Sequence, residues 1–326
     1  MSLVAAGRWL DGTLTLSAMS IARSVLLRAS RSTWLADQFR RRSFAKRAAR
    51  KFMPGEDVGS ALEAARVFAS SGLGTVLTSL GERVTERAEA DAVRDHYLGV
   101  FDAIAKGSLP THVSVKLSHL GLDIDRGACL DRIRQLAARA VGTGSFLWID
   151  IEESWYVDAT LDIYHQVRSE YERVGVCLQA YLRRTPADLD ALLPLEPAIR
   201  LVKGAYRESA AVAFPKKRDT DAAYYEIADR LLAAAAAGGA FPVFGTHDLK
   251  LIDRIRSRAS VLALAKGAYE IHMLYGIKTA QQRALSASGV AVRVLVSYGE
   301  HWFPWYVRRL AERPANVWFV VKSLVS

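Results

Sequence analysis

The sequence predicts an α/β protein: a (β/α)8 barrel preceded by a basic helical arm. Three observations carry that prediction. Eight short apolar runs follow residue 55, amphipathic stretches separate them, and most of the runs end in polar residues. Composition permits such a fold. Of 326 residues, 51% are hydrophobic and 24% charged, enough apolar surface for a large core.

The arm comes first. Residues 1–55 hold eleven Lys or Arg against two acids, Asp11 and Asp37. The remainder holds 33 basic and 32 acidic side chains, so nearly all of the net charge of +10 belongs to the arm. Its core, "LTLSAMSIARSVLLRASRSTWLADQFRRRSFAKRAARKF", is rich in Arg and Ser and poor in acids. Three readings fit: a transit peptide, a basic amphipathic helix on an anionic membrane surface, or helices packed on the main domain. We divide the chain into an arm, residues 1–54, and a barrel, residues 55–326. No run of 18 apolar residues occurs, so no membrane-spanning helix is expected. The expected location is the cytoplasm, with peripheral contact at the inner membrane face as the arm's alternative role.

Cys129 and Cys177 stand far apart and outside any CxxC, which fits a reducing compartment and no zinc site. The seven histidines form no HxxxH or HxH pair, so no metal is expected.

The expected strands are "TVLTSL" (75–80), "HVSVKL" (112–117), "SFLWIDI" (145–151), "VCLQAYL" (176–182), "IRLVKG" (199–204), "FPVFGT" (241–246), "YEIHMLYG" (269–276) and "AVRVLVSYG" (291–299). Each is apolar throughout its core, as in parallel strands buried on both faces. The intervening stretches read as helices. "SALEAARVFASSG" and "CLDRIRQLAARAVGTG" have helical apolar spacing and a closing glycine, "DAAYYEIADRLLAAAAAGG" is alanine-rich, and "HDLKLIDRIRSRASVLALAKG" reads as one helix ending at Gly267. Eight alternations favour a closed barrel over an open doubly wound sheet, and no GxGxxG follows a strand.

A barrel places chemistry at the C-terminal ends of its strands. Those ends carry Glu82, Lys116, Asp150, Glu152, Gln179, Arg200, Lys203, Tyr206, Thr246, His247 and Tyr275. Buried charge is costly unless paired, so these ends imply one network at the barrel mouth.

The ordered motifs "VSVKLSHL", "LQAYLRRTPADL", "IRLVKGAYRES", "FGTHD", "EIHMLYGI" and "WYVRRLAERP" resemble proline dehydrogenase, as does the entry "MPGEDVGSALEAARVFASSGLGTVLTSLGE". The resemblance covers roughly residues 50–322. It implies a distorted barrel that holds FAD without a Rossmann domain, with the eighth helix over the barrel mouth. Neighbouring helical residues differ by about 100°, so Arg308 and Arg309 of a helix lying across a pocket can both reach inward. They match the family's carboxylate-binding pair, Lys116 its third cation, and Glu312 the acid that holds the arginines. Arg200 matches the arginine beside flavin N5, and Gln179, Thr246 and His247 match flavin contacts. Lys203 and Ala205 of the "VKGAY" turn are placed at the cofactor. Tyr206, Leu201 and Leu274 match substrate-pocket positions, Asp150 the acid near the lysine, and Glu82 an acid that can pair with Arg308.

The activity the resemblance implies is oxidation of L-proline to 1-pyrroline-5-carboxylate, the first step of proline catabolism, with electrons passed to a quinone. No general base stands out, and the resemblance requires none. The chain departs from the family in its eighth strand, "RVLVSYG". Leu295 stands where a tyrosine walls the substrate ring, Ser297 replaces a proline, and His272 replaces a glutamine. The loss of the tyrosine opens a second reading, a substituted proline such as hydroxyproline, with Tyr298 and Tyr306 as candidates to occupy the vacated space. His272 reads as a flavin contact or as a satisfied structural histidine. Two remote readings come from other classes. A barrel lyase would use Lys116 or Lys203 as a Schiff base. A nucleic-acid binder would use the arm, but the charge is confined there with few interleaved aromatics, so no nucleic acid is expected.

Overall fold

Residues 49–311 are described in this computed structural model, except the side chains of residues 304 and 308–311. The basic arm up to residue 48, Glu312, and the side chains of Arg308 and Arg309 therefore lie outside the described residues. The chain divides into two units, residues 51–300 and residues 1–50 with 301–326.

Each expected apolar run overlaps one strand, with ends shifted by up to three residues: β1 (Gly74–Ser79), β2 (Thr111–Lys116), β3 (Leu147–Asp150), β4 (Val174–Gln179), β5 (Ala198–Val202), β6 (Phe241–Gly245), β7 (Glu270–Leu274) and β8 (Ala291–Tyr298). They pair in sequence order, all parallel, and β8 closes on β1. The fold is a (β/α)8 barrel. Helix α1 (Val58–Ala69) precedes β1, and α2 (Arg87–Lys106), α3 (Arg126–Gly142), α4 (Val157–Glu170), α5 (Thr185–Leu192), α6 (Lys217–Ala236), α7 (Leu249–Val261) and α8 (Thr279–Ala287) follow β1 to β7 in turn. In the other unit, α9 (Trp302–Ala311) places Trp302 against Tyr306 with ring centroids 5.9 Å apart.

Local chemistry sets the helix ends. The Asp57 carboxylate accepts the Ser60 N–H at 2.8 Å and caps α1, and Asp125 accepts the Ala128 N–H at 3.0 Å and caps α3. Helix α7 stops at Val261 instead of running to Gly267 as its composition suggests. Ala263 takes a left-handed φ of 52°, and the Leu264 N–H turns back to the Ala259 carbonyl at 3.0 Å, so the helix is closed before the glycine.

Strand side chains alternate between two apolar regions. Outward-facing Val113, Ile149, Val176, Leu201 and Val294 join Phe101, Ile133, Leu231 and Ile252 of the helices in the main core. Inside the barrel, Val76, Trp148, Ala198 and Val243 form a smaller cluster with Leu295 packed against it. Trp148 fits because its neighbour strand has Gly175, where an added Cβ would lie 2.4 Å from a Trp148 ring carbon.

A polar group occupies the same interior. Glu270 accepts from Arg293 Nε at 2.8 Å and from His272 Nε2 at 2.9 Å, and the Trp148 indole N–H donates to His112 at 3.3 Å. Burial pushes His272 down to about 4, so the ring is neutral at neutral pH, although its bond to Glu270 opposes the shift.

Candidate active site

The polar strand ends converge as barrel geometry requires. Lys116 ends β2 and Asp150 ends β3, and the two are register partners. Their charges are nevertheless matched elsewhere. Lys116 Nζ lies 2.5 Å from the Glu82 carboxylate, while Asp150 Oδ1 accepts from Arg200 Nη2.

Arg200 is the most enclosed cation of the group, with only 4% of its side chain exposed. Its Nη2 also donates to Ser114 Oγ at 2.7 Å, its Nε donates to Cys177 Sγ at 2.8 Å, and its guanidinium carbon sits 5.1 Å from the Trp148 ring centroid. The Cys177 thiol donates in turn to Asp150 Oδ1 at 3.3 Å. Burial pushes that thiol up to about 12, so it keeps its proton. Burial works against the charge on Arg200, but Cys177 and Asp150 outweigh it and hold the guanidinium protonated.

At the mouth, the buried polar atoms without a hydrogen-bond partner among the described residues include Arg200 Nη1 and Gln179 Oε1. Gln179 stands two residues beyond Cys177 on β4, hence on the same inner face, and its Nε2 donates to the Glu152 carbonyl at 3.2 Å. A buried polar group left unmatched costs about 1–3 kcal/mol, so the pair marks where a polar ligand fits. Two residues beyond Asp150, Glu152 is buried and accepts from Ser118 N–H at 3.0 Å and Ser118 Oγ at 2.6 Å. Burial raises its carboxyl above the ordinary range, with Lys116 and Ser118 opposing.

On β6 and β7 the predicted residues brace one another. Thr246 is buried, its N–H donating to the His272 carbonyl at 3.2 Å and its Oγ1 accepting the Asp248 N–H at 3.1 Å. His247 Nε2 accepts the Leu274 N–H at 3.2 Å, and Lys278 donates to the His247 carbonyl at 2.9 Å. Lys203 is held between Asp221 at 2.5 Å and Asp248 at 3.0 Å. The turn after it requires Gly204, at φ 111°, where a Cβ would lie 2.1 Å from the Tyr181 ring. Ala205 is exposed and Tyr206 half-buried. Leu274 and Leu295 are register partners, both half-buried on the inner face.

Three sequence expectations need correction or narrowing. Leu201 does not line the mouth: it alternates with Arg200 and is fully buried in the outer core. Tyr298 cannot fill space beside Leu295, because it lies in the outer core with its hydroxyl 2.7 Å from His96 on α2. His272 sits in mid-strand, bonded to Glu270 and edge-on to Trp148 at 5.7 Å, which is a structural placement. Arg308 and Arg309 lie on α9, but their side chains, like Glu312, are outside the described residues.

Sequence reading passed over Ser114, Trp148 and Cys177. Strand parity could have found them, since each precedes a named mouth residue by two: Lys116, Asp150 and Gln179. Two surface depressions, of about 760 and 430 Å³, lie at the opposite ends of the strands, near Ala291 and Thr111, and touch none of the mouth residues. Among the described residues, no group of three His, Cys, Asp or Glu is placed to hold a metal ion, and no helix is long and apolar enough to cross a membrane.

Residues 61–322 match the sequence model of the family described as proline dehydrogenase. The chain belongs to the proline dehydrogenase family. It is 37% identical to Proline dehydrogenase 2 of Bacillus subtilis subsp. natto, across 94% of this chain and 99% of that protein. It is 35% identical to Proline dehydrogenase of Deinococcus radiodurans, across 85% and 90% of the two chains. Among solved structures, proline utilization A (PutA) from Bdellovibrio bacteriovorus, inactivated by N-propargylglycine, superposes with a TM-score of 0.76 over 82% of this chain at 24% identity, a likeness of fold. This chain spans about a third of that larger protein, 33% of its length. Membership of the proline dehydrogenase family makes the chain an oxidoreductase of proline catabolism, acting on proline.

Proposed function

We propose that this proline dehydrogenase oxidises L-proline to 1-pyrroline-5-carboxylate with FAD at the barrel mouth, and that the electrons pass to a quinone. The observation that supports the cofactor is the pair of unmatched buried atoms, Arg200 Nη1 and Gln179 Oε1. Both belong to positions that the family resemblance assigns to the flavin, and a hydrogen-bonding heterocycle would satisfy both.

Proline loses two electrons and two protons to become the cyclic imine. FAD, when bound, supplies the hydride acceptor. The chain's own residues supply the grip and the dryness. Lys116, Arg308 and Arg309 would hold the substrate carboxylate, each charge-assisted contact contributing about 1.5–3 kcal/mol. Glu82, now on Lys116, would be shared between cations as the carboxylate arrives. Leu274 and Leu295 would exclude water from the ring, and the fixed pose is the source of rate. Thr246, His247, Lys203 and Ala205 would hold the rest of the cofactor, and Tyr206, Asp150 and Glu312 would frame the cations. The half-buried Leu295 favours a second reading, the same chemistry on a ring-substituted proline such as hydroxyproline. We place the enzyme in the cytoplasm, with the basic arm as a contact to the inner membrane face.

The purified protein should show flavin absorbance that bleaches on addition of L-proline. Arg308→Met and Arg309→Met should each raise KM for proline about 10- to 100-fold while flavin stays bound. A folded protein that takes up no flavin overturns the cofactor assignment; flavin that no proline analogue bleaches overturns the substrate.

A further inference from the structure

Among the groups beneath the mouth that neither the family resemblance nor the proposed mechanism uses is the Cys177 thiol. It is 3% exposed and protonated, so it is no nucleophile and no redox sensor. Its two contacts instead form a closed triangle. Arg200 Nε donates to Cys177 Sγ at 2.8 Å, Cys177 donates to Asp150 Oδ1 at 3.3 Å, and Arg200 Nη2 donates to the same Oδ1.

A guanidinium is a rigid planar fork, so fixing two of its nitrogens fixes the third. Asp150 and Ser114 fix Nη2, and Cys177 fixes Nε. The Trp148 ring blocks one face at 5.1 Å. What remains is Nη1, buried and without a partner among the described residues. Without Cys177 the whole planar group could swing on its aliphatic stem, about the Cγ–Cδ and Cδ–Nε bonds, pivoting on Asp150, and Nη1 would no longer have a set direction.

We infer that Cys177 is a positioning residue of this proline dehydrogenase: by accepting from Arg200 Nε and donating to Asp150, it aims Arg200 Nη1 at the ligand in the barrel mouth. The inference deepens the proposed function, because the ligand there is taken to be the flavin. The thiol is suited to the role, since it both donates and accepts in a space that a carboxylate would overcharge.

The test compares two variants of nearly equal size, Cys177→Ala and Cys177→Ser, in the full-length holoenzyme. Alanine removes both contacts, whereas serine keeps a donor and an acceptor. Cys177→Ala should lower kcat/KM for proline about tenfold, mainly in kcat. It should also shift the two-electron flavin potential by a tenfold change in the oxidised-to-reduced ratio, about 30 mV. Cys177→Ser should recover most of both. Equal behaviour of the two variants, or wild-type potential and kcat in Cys177→Ala, overturns the inference. A second readout does not need the flavin. In flavin-free full-length protein, the Arg200 Nε–H resonance, assigned by its loss in Arg200→Lys, should exchange slowly with solvent in wild type and Cys177→Ser and rapidly in Cys177→Ala. Should the protein bind no flavin at all, the proposed cofactor fails while this exchange comparison still decides whether Cys177 holds Arg200; equal exchange in all three rejects it.

Discussion

The barrel buries charge at two levels, and the two are built differently. In the lower interior, Glu270 is shared by Arg293 and His272. Burial alone would raise that carboxyl, but the His272 hydrogen bond and Arg293 outweigh it and hold Glu270 well below the usual range. The atom left over there is an acceptor on a neutral ring, His272 Nδ1. In the upper interior, Arg200 is just as enclosed, yet one donor of a full positive charge is left over, and so is the amide oxygen of Gln179. An orphaned charged donor costs more than an orphaned neutral acceptor. A fold keeps the costlier arrangement where something else completes it, so the lower cluster reads as structure and the upper as a site.

The sharpest way to break that contrast is to remove one cation from each level. Arg293→Met leaves Glu270 ionised with 9% of its side chain exposed and only a neutral imidazole beside it. Breaking a buried pair from one side costs about 3–5 kcal/mol. Denaturant unfolding should show that loss, while KM for proline in the surviving folded fraction stays at the wild-type value. A large rise in KM would mean that the lower cluster belongs to the site after all.

Acid should find the lower level next. His272 has a folded value of about 4 against 6.5 in a free chain. Between those values the unfolded chain binds more protons, so stability rises with pH across the window and is lost as pH falls from about 6.5 to 4. The shift sets an upper bound of about 3 kcal/mol on this one group. His112, also pushed well down by burial, acts in the same direction. Unfolding midpoints measured across that pH range should therefore flatten, without vanishing, in His272→Gln. An identical slope in the variant would show that His272 takes up its proton as readily in the folded as in the unfolded chain.

At the upper level the effect should be chemical more than structural. Arg200→Met strands Asp150, but that carboxylate is 21% exposed and can take up water or a proton. The expected stability loss is thus smaller than for Arg293→Met. The expected loss in kcat/KM is about 100-fold, near 2.7 kcal/mol, with reduced flavin occupancy or a shifted potential. Unchanged occupancy, potential and kcat would reduce Arg200 to a structural cation like Arg293.

This contrast also marks what could be read without coordinates. All eight strands were legible, because parallel strands buried on both faces leave dense apolar runs such as Val174–Gln179, buried at every position. The mouth residues Lys116, Asp150, Gln179 and Arg200 were legible as polar ends to those runs. Their partners were not. Lys116 and Asp150 are register neighbours, but Lys116 went to Glu82 and Asp150 to Arg200 two strands along. Pairing of that kind depends on which way side chains lean in a closed interior, and no sequence spacing encodes it. Leu201 was misplaced for a simpler reason: it adjoins Arg200 in one motif, but adjacent strand residues face opposite sides.

The smallest expected effect concerns the rim between mouth and substrate, at Leu295. Its register partners are Val76 and Leu274, and it packs on the interior cluster that contains Trp148. It is half-buried, so a larger ring there has an open side and should avoid the 1–3 kcal/mol or so that overpacking a closed core costs. Tyr298 is held in the outer core by His96 and cannot substitute for the missing ring. The wild type should therefore bind proline weakly and tolerate 4-hydroxyproline comparatively well, because a void rejects little. Leu295→Tyr should tighten proline by about 1 kcal/mol, several-fold in KM, and raise the ratio of kcat/KM for proline over hydroxyproline. Leu295→Phe separates the two causes. A gain shared by both variants assigns the effect to the aromatic face, and a gain confined to tyrosine assigns it to the hydroxyl. If neither variant moves the ratio, Leu295 is a neutral replacement and the pocket is shaped elsewhere.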